Sequence, residues 1–555
     1  MLSLLLYNEV PTPFGFDNWL TFWLILVISI LNAGLMNFVG YKFLQVLQLS
    51  GYKTKDYWAW MKSNKYKDWG RLIVLSFLSS AALLVTNVLL EQIIIYKIMT
   101  YAGLLFYFLF CFVYILNVYN VPQKTPLKYT HRMTRLCVVM NILVFLFTFA
   151  IMTASQLYVP YFEFGAVGLT PMLLPLIIQL AHYVITPFEA WNSYRYITLA
   201  KKELAKHEGI VVVGITGSFG KTSVKNILTV LLSEKYKVCA TPHSYNTPLG
   251  LSKTILNNLK QDDEILIAEM GAKHVGDIKY LADMVHPTIG IITGIGNQHL
   301  LTFGSIENLK NTKYELIEGL KKDGKAYFNL DSEPNNELYF RAQCDKVGVS
   351  IKNEKGKIYV TDIKSTERGS SFTLHADGKS VDCKTSLLGV HNISNILLCA
   401  SVALDMGVSL YELQSAIGKL VPSAHRLALV PSGNSIIVID DAYNGCVEGA
   451  KAALDTIKQF NSKKIVITPG LVELGKEEFN CNFEFGRQMA SVCDYVIING
   501  VVNYDALSAG LEFGGFDKSK ILRAGSIKQA IEVMQQFATA GDVVLFENDL
   551  PDNYT

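Results

Sequence analysis

The chain's nine cysteines form no CxxC pair and no cluster with histidine. That removes the usual sequence signs of a structural zinc site or a disulfide framework. They read as reduced, packed thiols of a cytoplasmic protein. Net charge is almost missing too. Lys and Arg number 50 against 48 Asp and Glu, which leaves +2 and no electrostatic case for nucleic acid. No Ser/His/Asp arrangement and no thiol nucleophile stands out. No basic run precedes the first apolar stretch, and four more such stretches follow it, so a membrane segment fits better than a cleaved leader.

What the chain has in excess is apolar residues, 50% of its 555 positions. They concentrate before about residue 195. Five stretches there approach the ~20 residues that cross a bilayer as helix: Trp19–Gly40, Leu72–Leu90, Tyr101–Tyr119, Leu136–Ala154 and Val167–Thr186. The loops between them differ in charge. Lys42, Lys53, Lys55, Lys62, Lys65, Lys67 and Arg71 follow the first stretch, and Lys124, Lys128, Arg132 and Arg135 follow the third. The loop after the second has only Lys97, and Ser155–Phe164 has no basic residue. Positive loops stay in the cytoplasm. The expectation is a multi-pass plasma-membrane protein with its N-terminus outside and everything from residue 190 inside. Trp58, Trp60 and Trp69 suit an interfacial segment. Asn32, Asn37, Asn141, Gln179 and His182 fall within spans, where helix–helix hydrogen bonding is the expected use and a lipid-headgroup or substrate path the alternative.

From Ile210 the pattern changes to short β-branched runs between helical stretches. Ile210–Ile215 reads as a buried parallel strand. It leads into Thr216-Gly217-Ser218-Phe219-Gly220-Lys221-Thr222-Ser223 and a helix over Val224–Leu232. Strand, glycine loop, Lys-Thr and helix make a phosphate cradle. Backbone N–H groups of Gly217, Ser218 and Gly220 would point at phosphate oxygens, Lys221 would reach the outer phosphates, and the Thr222 hydroxyl, next to Ser223, would bind Mg²⁺. The general GxxxxGK[ST] pattern would place glycine at position 215, which is isoleucine.

The variant G-I-T-G-S-F-G-K-T resembles the phosphate loop of the Mur ligase and folylpolyglutamate synthetase superfamily, and further strings follow in that superfamily's order over about residues 209–500. The resemblance implies a helical membrane domain (1–195), a P-loop-type, mostly parallel α/β ATP-binding domain (205–420) and a C-terminal Rossmann-like α/β domain (421–555). In His243–Gly250, Asn246 and Thr247 would contact substrate. Glu269, ending the run Leu266–Glu269, would bind the Mg²⁺ on the phosphates. His299, in Ile291–Leu300, would hold a second Mg²⁺ together with Lys313, which most Mur ligases carbamylate. Gly294 stands where the family usually has Asn. Asn392 and Asn395, in G-V-H-N-I-S-N, would meet the adenine, Arg426 the phosphates and Asp441 the ribose. The string Asp441-Ala-Tyr-Asn444 points to the D-alanyl-D-alanine-adding branch.

The implied enzyme takes ATP, a muramyl-peptide-like carboxylate acceptor and an amino acid or dipeptide donor, and joins them through an acyl phosphate in envelope synthesis. Lys221, His299 and Lys313 would carry the chemistry beside a lipid bilayer. A poly-amino-acid ligase and a non-catalytic ATP-binding scaffold are the competing readings. The chain departs from the family in three places. Membrane spans stand where a uridine-binding domain is usual, Asn444-Gly445-Cys446 lacks the usual Ala-Asn-Pro, and Glu547-Asn-Asp549 replaces a Lys-Gly-Ser string.

Overall fold

A computed structural model describes residues 19–63, 66–88, 96–119, 126–158, 167–298, 300–354, 356–432, 435–443 and 446–548. The chain divides into two compact units, Met1–Asn192 and Ser193–Leu550.

The first unit is helical among its described residues: α1 Trp19–Val39, α2 Tyr41–Leu49, α3 Thr54–Ser63, α4 Lys67–Val88, α5 Tyr96–Tyr119, α6 His131–Tyr158 and α7, which runs Thr170–Leu204. Among the described residues, three helices are long and apolar enough to cross a membrane: Thr21–Val39, His131–Ala154 and Thr170–Leu204. Of the other two stretches expected to span, Leu72–Leu90 runs on to residues outside the described set, and Tyr101–Tyr119 keeps a shorter apolar helix, Leu104–Tyr119. Large apolar side chains such as Ile30, Leu31, Phe77 and Leu105 stay exposed. A water-facing surface rarely carries so many.

The in-span asparagines are paired. Asn32 Nδ2 donates to Thr148 Oγ1 and Thr170 Oγ1, both at 3.2 Å, and its Oδ1 accepts from Tyr107 at 2.5 Å. Asn37 Nδ2 donates to Asn141 Oδ1 at 2.8 Å. An unpaired amide in a hydrocarbon layer costs several kcal/mol, so these bonds fix which helix faces meet.

The second unit holds three sheets. The first orders its strands β2-β3-β1-β4-β5-β6, all parallel: β1 Val211–Thr216, β2 Val238–Ala240, β3 Ile265–Glu269, β4 Ile289–Ile292, β5 Lys325–Asn329 and β6 Asp345–Val349. Its central strands are buried apart from half-buried Val211 and read as continuous apolar runs for that reason. The helices that position the site are α8 Lys221–Leu232, α9 Pro248–Asn257, α10 Asp277–Val285, α11 Leu300–Phe303, α12 Ile306–Glu318, α13 Glu333–Arg341, α14 Val390–Asp405 and α15 Leu410–Gly418.

The sequence reading did not anticipate the second sheet. It is an antiparallel meander of β7 Ile358–Thr366, β8 Gly369–Ala376 and β9 Lys379–Thr385. Ala376 pairs with Lys379, so Asp377 and Gly378, both at positive φ, form the whole turn. Asp-Gly is the residue pair such a primed turn prefers. The meander buries Val360, Phe372 and Leu374 in the same core as α14.

The third sheet orders β10-β11-β15-β12-β13-β14, with only β10 antiparallel: β10 Ala428–Val430, β11 Ile437–Asp441, β12 Lys464–Thr468, β13 Tyr495–Asn499, β14 Ile521–Ala524 and β15 Val543–Glu547. Helix α16 Val447–Ile457 covers it next to the first sheet's strand ends.

Candidate active site

The glycine loop joins the carboxyl end of β1 to α8. Gly217 has φ +156, and a Cβ there would run into the Thr293 hydroxyl and the backbone of Gly294. Only glycine lets the two loops approach so closely. Ser218 N donates to Gly294 O at 2.6 Å. The Phe219 ring fills the space a side chain at position 294 would occupy, so glycine in place of the family's usual Asn follows from the neighbouring Phe219.

Lys221 folds back over this loop, donating to Gly217 O at 2.6 Å and Ser218 O at 2.9 Å. Burial, and then the Arg426 guanidinium, push its ammonium down to about 8, against the pull of Glu269. The Ser218 hydroxyl is buried without a hydrogen-bond partner. A desolvated ammonium, the nearby Arg426 guanidinium and an orphaned hydroxyl fit a polyphosphate, but the Ser218 N–H, expected from sequence to face the phosphates, is spent on Gly294 O.

Glu269, at the end of β3, is enclosed by donors. Thr222 Oγ1 lies 3.2 and 3.1 Å from its two oxygens, Asn246 Nδ2 donates to Oε1 at 3.2 Å, and Lys225 Nζ sits 3.2 Å from Oε2. The sequence reading had no role for Lys225. Its position one helical turn beyond Thr222 puts it on the same face of α8. Hydroxyl and carboxylate oxygens are the hard donors Mg²⁺ takes, so Thr222 and Glu269 fit one cation beside the phosphates. Among the described residues no cluster of three His, Cys, Asp or Glu side chains has metal-holding spacing. Thr247, paired with Asn246 in the sequence reading, spends its hydroxyl capping α9, accepting from Gly250 N at 3.3 Å.

Lys313 lies on the buried face of α12, its ammonium 5.9 Å from the centre of the Phe303 ring. Burial first, then nearby Lys221, hold its amine far below the usual lysine range. His299, its expected companion, lies outside the described residues, as do Asn444 and Gly445.

A cavity of about 620 Å³ opens on the far side of the loop. It is lined by Gly220, Ser223, Asn392, Asn395, Arg426 and Asp441, among others. The structure thus gathers residues that sequence reading took from four separate strings. Asn395 Nδ2 donates to Asn392 Oδ1 at 3.4 Å, and Asn392 Nδ2 to Leu388 O at 2.8 Å. Asp441 Oδ1 accepts from Leu427 N at 3.1 Å, tying the end of β11 to the segment that carries Arg426. A second cavity of about 410 Å³ shares Ser223, Asn392 and Arg426, and reaches Lys225, Thr241 and His243.

Two acidic side chains that sequence reading did not assign stand nearby. Glu448, on α16, accepts from Asn297 N at 3.3 Å and packs over Gly296, joining the third sheet's first covering helix to the loop after β4. Burial raises its carboxyl. Glu547, read from sequence as part of an acidic tail, is fully buried at the end of β15, in register with Asp441. Its neighbours are apolar strand residues, so sequence alone could not separate it from the exposed acids.

Comparison with known proteins agrees with this layout. The Mur ligase middle domain matches residues 215–403, and the Mur ligase, glutamate ligase domain matches residues 425–547. The UDP-N-acetylmuramoyl-tripeptide–D-alanyl-D-alanine ligase of Bacillus subtilis is 28% identical over 344 residues, 61% of this chain and 73% of that one. The Mycobacterium bovis ligase of the same name is 33% identical over 287 residues, and the chain spans only 56% of its length. Among solved structures, the MurF ligase of Thermotoga maritima in complex with ADP superposes with TM-score 0.56 at 27% identity, covering 64% of this chain and 80% of that one. MurF of Acinetobacter baumannii shares the fold, with TM-score 0.58. From Ile215 to Glu547 the chain belongs to the Mur ligase family.

Proposed function

We propose that the chain is an ATP-dependent amide-bond ligase of peptidoglycan-precursor synthesis, acting from the membrane. The observation that carries this reading is the convergence of Lys221, the Thr222–Glu269 pair, Asn392, Asn395, Arg426 and Asp441 on one loop and its cavity.

The acceptor carboxylate attacks the γ-phosphorus of ATP; a P–O bond forms, the bond to the β-phosphate oxygen breaks, and ADP leaves. The amine then attacks the acyl carbonyl, phosphate departs with the C–O pair, and the nitrogen sheds its proton. The first step drives an anion at a polyanion, so its barrier is largely electrostatic. Lys221 and the loop N–H groups hold the outer phosphates in advance. Contact with phosphate restores the Lys221 charge that burial weakens. Arg426 adds a second cation, Asp441 takes the ribose hydroxyls, and Asn392 and Asn395 line the base side. Mg²⁺ on Thr222 and Glu269 supplies charge neutralisation at the phosphate oxygens.

Lys313 serves as the site of a carbamate. A neutral amine is the form that adds to CO₂, and burial, with Lys221 nearby, shifts this amine toward that form. The carbamate would restore negative charge next to Lys221 and, with His299, provide oxygen and nitrogen donors for a second Mg²⁺.

The donor and acceptor follow the named relatives: D-alanyl-D-alanine joined to a muramoyl tripeptide. Among the described residues, three helices long and apolar enough to cross a membrane precede the catalytic part. They favour a lipid-linked or membrane-proximal acceptor over a freely diffusing UDP-linked one. The test uses the full-length chain in detergent with ATP, Mg²⁺, D-alanyl-D-alanine and either UDP-linked or lipid-linked muramoyl tripeptide. Phosphate release should match amide product one for one and require both organic substrates, with the lipid-linked acceptor turned over faster. ATP hydrolysis indifferent to acceptor and donor would overturn the ligase reading. Equal or better turnover of the soluble acceptor would overturn the lipid-linked one.

A further inference from the structure

Among the described residues of the helical unit, the buried polar side chains around Asn32 bond one another, Ser79 and Ser80 leave single hydroxyls unpaired, and one further group gathers several unpaired atoms. That group lies where the basic loop enters α6. Gln179 is 4% exposed and His182 5% exposed, and they lie about one turn apart on the buried face of α7. Neither Gln179 Nε2 nor Oε1 has a hydrogen-bond partner, and His182 Nδ1 has none. The His182 ring centre lies 6.4 Å from that of Tyr52, whose buried hydroxyl is also unpaired. The Arg132 guanidinium covers the Tyr52 ring at 3.9 Å, and its buried Nε is unpaired as well.

Each buried polar atom left unmade costs about 1–3 kcal/mol. Native structures carry few, and each asks for a reason. Here several orphans stand together on three elements: the turn after α2, the first turn of α6, and α7. Charge is also unbalanced. The nearby carboxylate, Glu189, bonds Arg135 at 2.6 Å and acts on Arg132 only through its field, leaving Arg132 without a bonded counterion among the described residues. The N-terminal end of α6 adds further positive character.

The orphan set describes its ligand. Arg132 Nε, the Gln179 amide hydrogens and the Tyr52 hydroxyl can donate to anionic oxygens. Gln179 Oε1 needs a donor in return, which a bare anion lacks and a hydroxyl supplies. Leu176, Leu180 and Val184 are exposed on the outward face of α7, a surface suited to an acyl or isoprenoid chain. We infer that Tyr52, Arg132, Gln179 and His182 form a binding site for a phosphate-bearing lipid head group that also carries hydroxyls. The inference rests on reading these helices as membrane spans and is independent of the ligase chemistry.

The test takes the full-length, delipidated chain in detergent and measures binding of dioctanoylphosphatidylglycerol, dioctanoylphosphatidylcholine and free glycerol phosphate by native mass spectrometry and thermal shift, without ATP. The glycerol lipid should bind, and the other two should bind far more weakly. Arg132→Gln should weaken the glycerol lipid roughly 10–100-fold, the value of a charged hydrogen bond. Gln179→Leu is the sharper variant: it removes two orphan atoms, so it should raise the lipid-free thermal midpoint while weakening lipid binding. A Gln179→Leu protein that is stabilised yet binds the lipid unchanged overturns the site. Equal binding of phosphatidylcholine overturns the anion requirement, and equal binding of glycerol phosphate assigns the pocket to a soluble ligand.

Discussion

Glu269 and Glu547 occupy matching places in two different sheets. Each ends a parallel strand at the carboxyl edge, and each is buried, at 1% and 0% exposure. Their surroundings are opposite. Glu269 is met by a hydroxyl, an amide and an ammonium. Neither oxygen of Glu547 meets a donor, yet its side chain lies within hydrogen-bonding reach of the Asp441 carboxyl. Two carboxyl groups can bond only if one carries a proton. Burial first, and the Asp441 charge next, raise the Glu547 carboxyl well above its ordinary range, with Arg426 opposing. One sheet therefore presents a charged oxygen pair that can hold a cation. The other presents a carboxyl that burial and Asp441 shift toward its protonated form, beside Asp441, which lines the cavity. Strand-end placement alone does not say what a carboxyl does; its donors decide.

The comparison breaks most readily at Glu269. Glu269→Gln keeps the shape and removes the charge, leaving Lys225 buried beside a neutral amide. Turnover should fall about 10²–10³-fold, the size of loss seen when a preorganised electrostatic group is removed. The Mg²⁺ needed for half-maximal rate should rise, while folding, followed by circular dichroism, stays intact. Unchanged Mg²⁺ dependence would place the cation elsewhere. The corresponding change at Glu547 should leave Mg²⁺ dependence alone, and that contrast tests the assignment of the two carboxyls.

Lys313 is a third buried ionisable group, and as with Glu547 burial shifts it toward its neutral form. Lys313→Ala should cost roughly 10–100-fold in amide formation, a typical loss when a group supporting a metal site is removed. Nucleotide binding, read with a fluorescent ATP analogue, should change little, because Lys313 sits beyond Lys221 rather than in the loop. Added short-chain carboxylates should partly rescue the variant by standing in for the carbamate. Full activity in Lys313→Ala would leave this lysine a packing residue.

The residues that could be read from sequence are those whose role is local. The phosphate loop, the strand ending in Glu269 and the start of α14 carry their chemistry in one short string each. The residues missed depend on pairing across the fold. Lys225 matters because β3 lies beside β1, which brings Glu269 over α8. Glu448 and Glu547 matter because α16 and β15 border the cleft, and nothing in their own strings distinguishes them from surface acids. The β7–β9 meander was legible in principle through Asp377-Gly378, but period-two patterns between long helical stretches are easily absorbed into loops. In the helical unit, helix–helix hydrogen bonding was the expected use of the polar residues, with a lipid-headgroup or substrate path as the alternative. Asn32 Nδ2, Asn37 Nδ2 and Asn141 Oδ1 follow the expected use, whereas both polar atoms of Gln179 and the Nδ1 of His182 lack partners.

The smallest effect is the one that isolates the proton on Glu547. Its folded-state carboxyl titrates higher than in the unfolded chain, where about 4.3 is usual. Below that value both states hold the proton and burial carries no titration penalty. As pH rises, the unfolded chain releases its proton first, so unfolding is favoured by up to ~1.4 kcal/mol per pH unit until the folded group also ionises. Glu547→Gln has nothing to release, and its amide can still donate to Asp441. The variant should match the parent's thermal midpoint near pH 4.5 and exceed it by an amount that grows toward pH 8, read by scanning calorimetry on the transition containing the third sheet. A midpoint difference that stays constant over that range would mean Glu547 is ionised in the fold, and the two strand ends would then differ only in their donors.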